Sequence, residues 1–326
     1  MEKYVAVFTA IVAFVSIIII TPKLIPILFK LKVGQQVRSD GPETHLIKAG
    51  TPTMGGIAFL FSAIIGVITY SIIVKPNIWL VITFLLIFLG YGAIGFLDDY
   101  MKVVKKNTKG LSAKYKFSLQ IGLAIITAIL LIKVINLSTD VYIAPIFVLN
   151  MGLYYIFFII FIFTAITNAI NFTDGLDGLA VGALSMTYLT YAIIATIQQQ
   201  YILVTFALVL FSSCLGFLFF NKYPAKIFMG DTGSLALGAG VAMLAVLTKT
   251  EILFLVIGAL YVLEVLSVII QVCYFKMTKG KRFFLMAPLH HHFEKKGWKE
   301  TKVVIVFTIV SGIAGLLGIL LYTLLY

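Results

Sequence analysis

Residues 78–100 read I-W-L-V-I-T-F-L-L-I-F-L-G-Y-G-A-I-G-F-L-D-D-Y. The twenty uncharged residues from Ile78 to Leu97 match the roughly 20 that an α-helix needs to cross a hydrocarbon core. They end on two adjacent aspartates, Asp98 and Asp99. A carboxylate at the edge of a bilayer is costly to desolvate, so one stretch specifies both a membrane helix and a functional end to it.

The same pattern extends over the chain. Of its 326 residues 61% are hydrophobic and 12% charged, and the mean hydropathy is +1.08; a soluble domain carries about 25% charged residues. Continuous apolar runs in place of strict alternation exclude a transmembrane β-barrel. The fold class expected is an all-α polytopic membrane protein, one integral membrane domain over 1–326. Its spans are expected at about 4–29, 54–74, 78–97, 116–135, 143–167, 177–197, 201–220, 233–248, 251–275 and 303–325. The stretch 233–275 also reads as one broken span plus one whole one. The first apolar run is longer than a signal-peptide core and its positive charges follow it, which predicts a retained anchor. Pro22 and Pro26 predict a kink or a loosened last turn there.

Ten spans put both termini on one side. Twenty Lys and Arg residues lie in or at the edges of the loops at about 30–53, 98–115, 168–176, 221–232 and 276–302, against Lys3, Lys75, Lys133 and Lys249 on the other side. The positive-inside rule then places these loops in the cytoplasm and both termini outside it. The net charge of +12 is accounted for by topology and anionic headgroups, and does not point to nucleic acid. The cluster from Lys102 to Lys116 is dense enough to suggest an anionic substrate as well. Cys214 and Cys273 fall inside predicted spans and indicate neither a disulfide framework nor a metal site.

Four polar strings on that face carry the chemistry. Asp98 and Asp99 point about 100° apart on a helix, so both reach one site only near its end; interfacial pairing with Lys102 or Lys105 is the plainer alternative. In N-A-I-N-F-T-D-G-L-D-G, Asn168, Asn171, Asp174 and Asp177 recur every three residues, an oxygen-rich spacing that suits a hard cation or ribose and phosphate contacts. Helix capping explains one of these residues and explains four poorly. In F-M-G-D-T-G-S, Phe228 to Ser234, Asp231 precedes a helix N-terminus of the kind that favours phosphate, with capping as the rival. In A-P-L-H-H-H-F-E, His290, His291 and His292 cannot all face one metal from a regular helix, and no Cys set completes a zinc site, so contacts to phosphate or sugar fit better. A further string, K-A-G-T-P-T-M-G-G from Lys48, is no Walker loop; Lys48 could serve an anionic ligand. Glu264, within a predicted span, is either paired inside the bundle or marks a break.

Together these strings resemble the polyprenyl-phosphate N-acetylhexosamine-1-phosphate transferase superfamily over the whole chain. The K-A-G-T-P-T-M-G-G and P-L-H-H-H-F-E strings are similar to its phospho-N-acetylmuramoyl-pentapeptide transferase branch. The resemblance implies a Mg²⁺-dependent phosphoglycosyl transferase of the bacterial plasma membrane. It would move phospho-MurNAc-pentapeptide from its UDP carrier to undecaprenyl phosphate, giving the first lipid intermediate of peptidoglycan synthesis and UMP. It also implies Asp231 on the metal, Asp98 and Asp99 in the catalytic centre, and His290 near the diphosphate. Asn171, Asp174 and Asp177 would lie by the nucleotide with Asn168, and Lys48, Asn221, Phe228 and Gln271 around the nucleoside. Lys114 would stand near the phosphates, with His291 and His292 on the substrate. The partners expected are the two substrates and the bilayer; a homodimer is left open.

Two other classes are weighed. A coupled transporter would carry acids near the midplane with access from both sides, whereas these gather on one face. An intramembrane aspartyl protease wants G-x-G-D, and Phe228 stands where its first glycine belongs. Within the enzyme class, transfer of N-acetylglucosamine-1-phosphate to the same lipid is the nearer rival.

Overall fold

The computed structural model describes residues 1–30, 50–103, 110–144 and 147–325. Ten of its helices are long and apolar enough to cross a membrane, the number read from the sequence. They are α1 (Glu2–Lys30), α2 (Gly56–Val74), α3 (Ile78–Val103), α4 (Ala113–Ile129, continued by a π-helical turn to Val134), α5 (Tyr155–Thr173), α6 (Leu179–Ile197), α7 (Tyr201–Asn221), α8 (Gly230–Leu247), α10 (Ala259–Met277) and α12 (Glu300–Leu325). Two short helices, α9 (Phe254–Ile257) and α11 (Leu289–Lys295), flank α10.

Helix α8 forms the centre of the bundle. Every residue from Thr232 to Leu247 is buried, and α3 and α5 pack along it. Its composition explains this position: small side chains let neighbouring backbones approach, which is how helices gain contact where lipid removes the hydrophobic drive. At Gly95 of α3 an added methyl would lie 2.1 Å from the Asp231 carbonyl oxygen. Only glycine lets α3 cross the amino end of α8 so closely. Around this core α1 packs on α7, and α6 packs on both α7 and α12. Phe8, Ile11, Ile305 and Leu316 on the outer helices are exposed, as suits a surface solvated by hydrocarbon.

Several boundaries differ from the sequence expectation for local reasons. Helix α3 runs past residue 97 to Val103, so Asp98 and Asp99 are helical. The fifth span, expected from 143, starts at Tyr155, because Asp140–Ala144 (β1) and Phe147–Asn150 (β2) pair as an antiparallel hairpin with Asp140 opposite Asn150. Short β-branched and aromatic runs are not distinguished from helix by hydropathy alone. The same span ends at Thr173, so the expected loop 168–176 shrinks to a turn. Asn168 bonds back to the Thr164 carbonyl at 2.8 Å and so does not end the helix. The ninth span begins at Ala259, after α9 and Gly258. The expected loop 276–302 contains α11, and α1 continues unbroken through Pro22 and Pro26.

Candidate active site

Asp98, Asp99 and Asp231 each offer a carboxylate oxygen within 4.8 Å of the others. The α3–α8 crossing brings them together. Consecutive positions on α3 divide the first two between different tasks. Asp99, buried, caps α8: its Oδ1 accepts from Asp231 N at 3.1 Å, and its Oδ2 accepts from Thr232 N at 2.9 Å and Thr232 Oγ1 at 2.7 Å. The free N–H groups at a helix start are thus satisfied by a residue of another helix. Asp98 turns the other way, with Oδ2 2.5 Å from Lys102 Nζ and Oδ1 accepting from Leu111 N at 2.8 Å.

Asp231 is the hub. Its Oδ2 takes Lys102 Nζ at 2.9 Å and Lys116 Nζ at 2.8 Å, while Oδ1 accepts from Asn171 Nδ2 at 2.7 Å. Asn171 also donates to Ser234 Oγ at 2.7 Å, and Lys116 reaches Asn171 Oδ1 at 3.5 Å. Three carboxylates against two ammonium groups leave a local excess of negative charge. Closely spaced oxygen donors of this kind fit a hard divalent cation such as Mg²⁺.

Beside this cluster a second set ties turns together. Asp177 Oδ2 accepts from Ala225 N at 2.9 Å, Asp177 N donates to Glu300 Oε1 at 2.7 Å, and Gly178 N donates to Asn221 Oδ1 at 3.1 Å. Asn221 in turn donates to the Ile227 carbonyl at 2.9 Å. Phe228 follows, half-buried, its N–H bonded to Pro52 O and its carbonyl to Gly55 N, both at 2.8 Å. These bonds hold the Pro52–Gly56 segment beside the amino end of α8.

The histidines form a third group. His290 is buried against Glu264 of α10, its Nδ1 and its N–H each 3.2 Å from Glu264 Oε1. Its Nε2 faces Gly175, where an added methyl would come within 2.2 Å. His291 Nδ1 bonds Glu294 Oε2 at 2.7 Å, and His292 Nδ1 accepts from Leu285 N at 3.1 Å. Burial and the Lys296 ammonium hold His292 below its ordinary pKa. Gln271 Oε1 accepts from Phe283 N at 3.2 Å and Phe284 N at 2.9 Å, so it braces the return of the chain after α10.

The sequence-derived candidates thus fall into adjoining groups rather than one. Asn168 contacts Gln120 Oε1 at 2.7 Å, and Asp174 terminates α5. Lys114 is exposed in the first turn of α4, while Lys116 enters the carboxylate cluster. Lys48 lies outside the described residues. Sequence reading gave Thr232 and Ser234 no role, took Lys102 and Lys116 only as the ends of a basic cluster suited to an anionic substrate, and saw Lys102 besides as a pairing partner of the aspartates. A signal for Lys116 existed: it continues the buried stripe Gln120, Ala124, Thr127 at helical spacing, and Lys114 does not. Glu264 is paired inside the bundle, one of the two outcomes expected for it.

Comparison with known proteins assigns the chain. Residues 79–249 match the family described as glycosyl transferase family 4, and residues 48–60 match signature 1 of phospho-N-acetylmuramoyl-pentapeptide-transferase. Proteins of that name from Staphylococcus carnosus and Bacillus subtilis are 47% and 43% identical. The first alignment covers 95% of this chain and 97% of the relative, and the second 98% of each. One from Shouchella clausii is 42% identical, again over 98% of each chain. The carboxylate cluster sits inside the matched region, and identity of this order runs nearly end to end: the chain belongs to the phospho-N-acetylmuramoyl-pentapeptide-transferase family of phosphoglycosyl transferase enzymes.

Proposed function

We propose that the chain transfers phospho-MurNAc-pentapeptide from UDP-MurNAc-pentapeptide to undecaprenyl phosphate, forming lipid I and UMP. The convergence of Asp98, Asp99 and Asp231 with Lys102, Lys116 and Asn171 at one end of a spanning bundle carries this reading. An oxygen of the lipid phosphate attacks the β-phosphorus. The bond from that phosphorus to the oxygen bridging it to the α-phosphorus breaks, and UMP leaves with the electron pair. Two anions must meet, so the site's task is charge neutralisation and in-line positioning.

Asp98, Asp99 and Asp231 are the residues that would hold Mg²⁺, with Asp231 the principal ligand. When bound, the metal supplies charge compensation to the diphosphate. The protein's own groups do the rest. Lys102 and Lys116 neutralise phosphate oxygens, and Asn171 fixes the Asp231 carboxylate. Asp98 takes the proton of an acceptor phosphate that arrives singly protonated. Asn168, Asp174, Asp177, Asn221, Phe228 and Gln271, with Lys48, bind the uridine side, while Lys114, His290, His291 and His292 serve the phosphates and sugar.

The same reading places the catalytic face in the cytoplasm, both termini outside and the chain in the bacterial plasma membrane as a single domain. The lysine and arginine asymmetry supports it. Impermeant thiol labelling of intact cells carrying Lys75→Cys or Lys279→Cys in a Cys273→Ser background tests it. Labelling at 75 alone is expected; labelling at 279 alone contradicts the orientation.

The reaction is tested by UMP release from purified protein given Mg²⁺, undecaprenyl phosphate and either UDP-sugar. Release from UDP-MurNAc-pentapeptide is expected. Turnover of UDP-GlcNAc alone would overturn the muramoyl assignment.

A further inference from the structure

We infer that Gln120 of α4 is a positioning residue for the transfer: bonded to Asn168 of α5 one helical turn beneath the carboxylate cluster, it fixes the register of the two helices that delivers Lys116 to Asp231. The inference rests on the transferase reading and adds to it a residue outside the cluster itself.

Gln120 is fully buried in a helix long and apolar enough to span a membrane. A primary amide placed there costs free energy unless it is hydrogen-bonded. Its Oε1 accepts from Asn168 Nδ2 at 2.7 Å, while its Nε2 has no hydrogen-bond partner among the described residues. Methionine would fill the same space and strand no polar atom, so packing alone does not explain the glutamine. Asn168 Nδ2 also donates to the Thr164 carbonyl at 2.8 Å, which fixes the rotation of that side chain as well.

Two polar layers join the same three helices. In the first, Asp98 of α3, Lys116 of α4 and Asn171 of α5 meet around Asp231: Lys116 Nζ lies 2.8 Å from Asp231 Oδ2, 3.8 Å from Asp98 Oδ2 and 3.5 Å from Asn171 Oδ1. Gln120 follows Lys116 by four residues and Asn168 precedes Asn171 by three, spacings that put each pair on one helix face. The contacts 116–171 and 120–168 are therefore successive rungs between α4 and α5, about one helical turn apart. The third helix enters the second layer through Tyr91, buried seven residues before Asp98. Its hydroxyl donates to the Gln120 carbonyl at 3.2 Å, and its ring stacks 6.0 Å from Phe163 of α5. A slip of one residue rotates a helix by about 100° and moves it about 1.5 Å, which would carry Lys116 away from both carboxylates. The bond between Gln120 and Asn168 opposes that slip at the turn next to the site. Misplacing a charge-neutralising group by about 1 Å costs up to about 100-fold in rate, so loss of this clamp should lower turnover.

Purified full-length protein tests this in two ways. In UMP release, Gln120→Met should lower kcat by about tenfold or more, with KM for the nucleotide sugar within about threefold of wild type. Combined with Lys116→Ala, it should add no more than about twofold to the loss seen with Lys116→Ala alone. A merely structural defect, which thins the active fraction, would instead multiply the two losses. Exchanging the side chains, Gln120→Asn with Asn168→Gln, keeps the bond and should return kcat to within about fivefold of wild type. If Gln120→Met does not fold, Gln120→Leu takes its place. Without substrate, the melting temperature in detergent should fall less for Gln120→Met/Asn168→Leu than the sum of the two single changes, because both remove one bond.

Losses that multiply in the Lys116 cycle overturn the inference, as do melting-temperature changes that simply add. A raised KM with kcat intact also overturns it, since Gln120 would then serve nucleotide binding through Asn168. The melting comparison needs no substrate, so failure of the transferase reading would show separately, as a wild-type protein that releases no UMP.

Discussion

Asn171 on α5 donates Nδ2 to Oδ1 of Asp231 on α8 at 2.7 Å, and the same amide nitrogen bonds Ser234 Oγ one helical turn further along. One side chain thereby sets the rotation of the hub carboxylate and turns its Oδ2 toward Lys102 and Lys116. Loss of an orienting group beside a metal ligand costs about 10- to 100-fold. Asn171→Ala should therefore lower transfer by that factor and raise the Mg²⁺ concentration giving half-maximal rate. An unchanged Mg²⁺ dependence would mean that Asn171 does not orient Asp231.

Asp99 has a structural duty besides its place in the cluster. Asp99→Ala strands the N–H groups of Asp231 and Thr232 and the Thr232 hydroxyl at a buried helix start. Each orphaned buried donor costs about 1–3 kcal/mol. A lower melting temperature in detergent is expected for Asp99→Ala, together with loss of activity, while Asp231→Asn should lose activity and keep its fold. A melting temperature equal to wild type in Asp99→Ala would remove the capping role.

What the sequence made legible was the architecture and the chemical class. Uncharged runs such as Ile78–Leu97 declare membrane helices because length and desolvation leave little choice. The hairpin Asp140–Asn150 was not legible, since short apolar runs satisfy strand and helix alike. Nor was the division of labour between Asp98 and Asp99, which depends on α3 crossing α8 at Gly95. That contact is tertiary, and spacing along one helix does not encode it. Lys116 was legible only as one member of the basic cluster that begins at Lys102, because Lys114, two residues away, carries the same charge, and only the buried face of α4 separates them.

Lys116 and Lys114 should accordingly differ in kinetic effect. Lys116 contacts two carboxylates of the cluster, at 2.8 and 3.8 Å, so Lys116→Ala should reduce kcat at least tenfold, on the order of one lost charge-stabilising contact. Lys114 is exposed, and Lys114→Ala should mainly raise KM for the nucleotide substrate. Steady-state kinetics of both variants decide this; equal effects on kcat would contradict the assignment.

At the other end of the bundle, Lys249 Nζ bonds Ser138 O and the Tyr155 hydroxyl, both at 2.8 Å, and lies 3.6 Å from Glu251. The Tyr155 hydroxyl donates to Glu251. Burial pushes the Glu251 carboxyl above its ordinary value of 4.5, and burial also holds Lys249 below its own. The folded state therefore binds the Glu251 proton more tightly than the unfolded state does. That contribution to stability is present below pH 4.5 and is lost as pH rises through the raised folded value. The melting temperature of wild type should fall over this window relative to Glu251→Gln. Parallel curves would show that Glu251 does not titrate differently on folding.

The central claim is that the three-aspartate cluster performs the transfer. Its most direct measurement is mass spectrometry of lipid extracted after purified protein meets UDP-MurNAc-pentapeptide, undecaprenyl phosphate and Mg²⁺. The account predicts undecaprenyl-diphospho-MurNAc-pentapeptide in one-to-one ratio with UMP, abolished by EDTA, restored by added Mg²⁺, and absent with Asp231→Asn. Formation of that product by Asp231→Asn at the wild-type rate would contradict it.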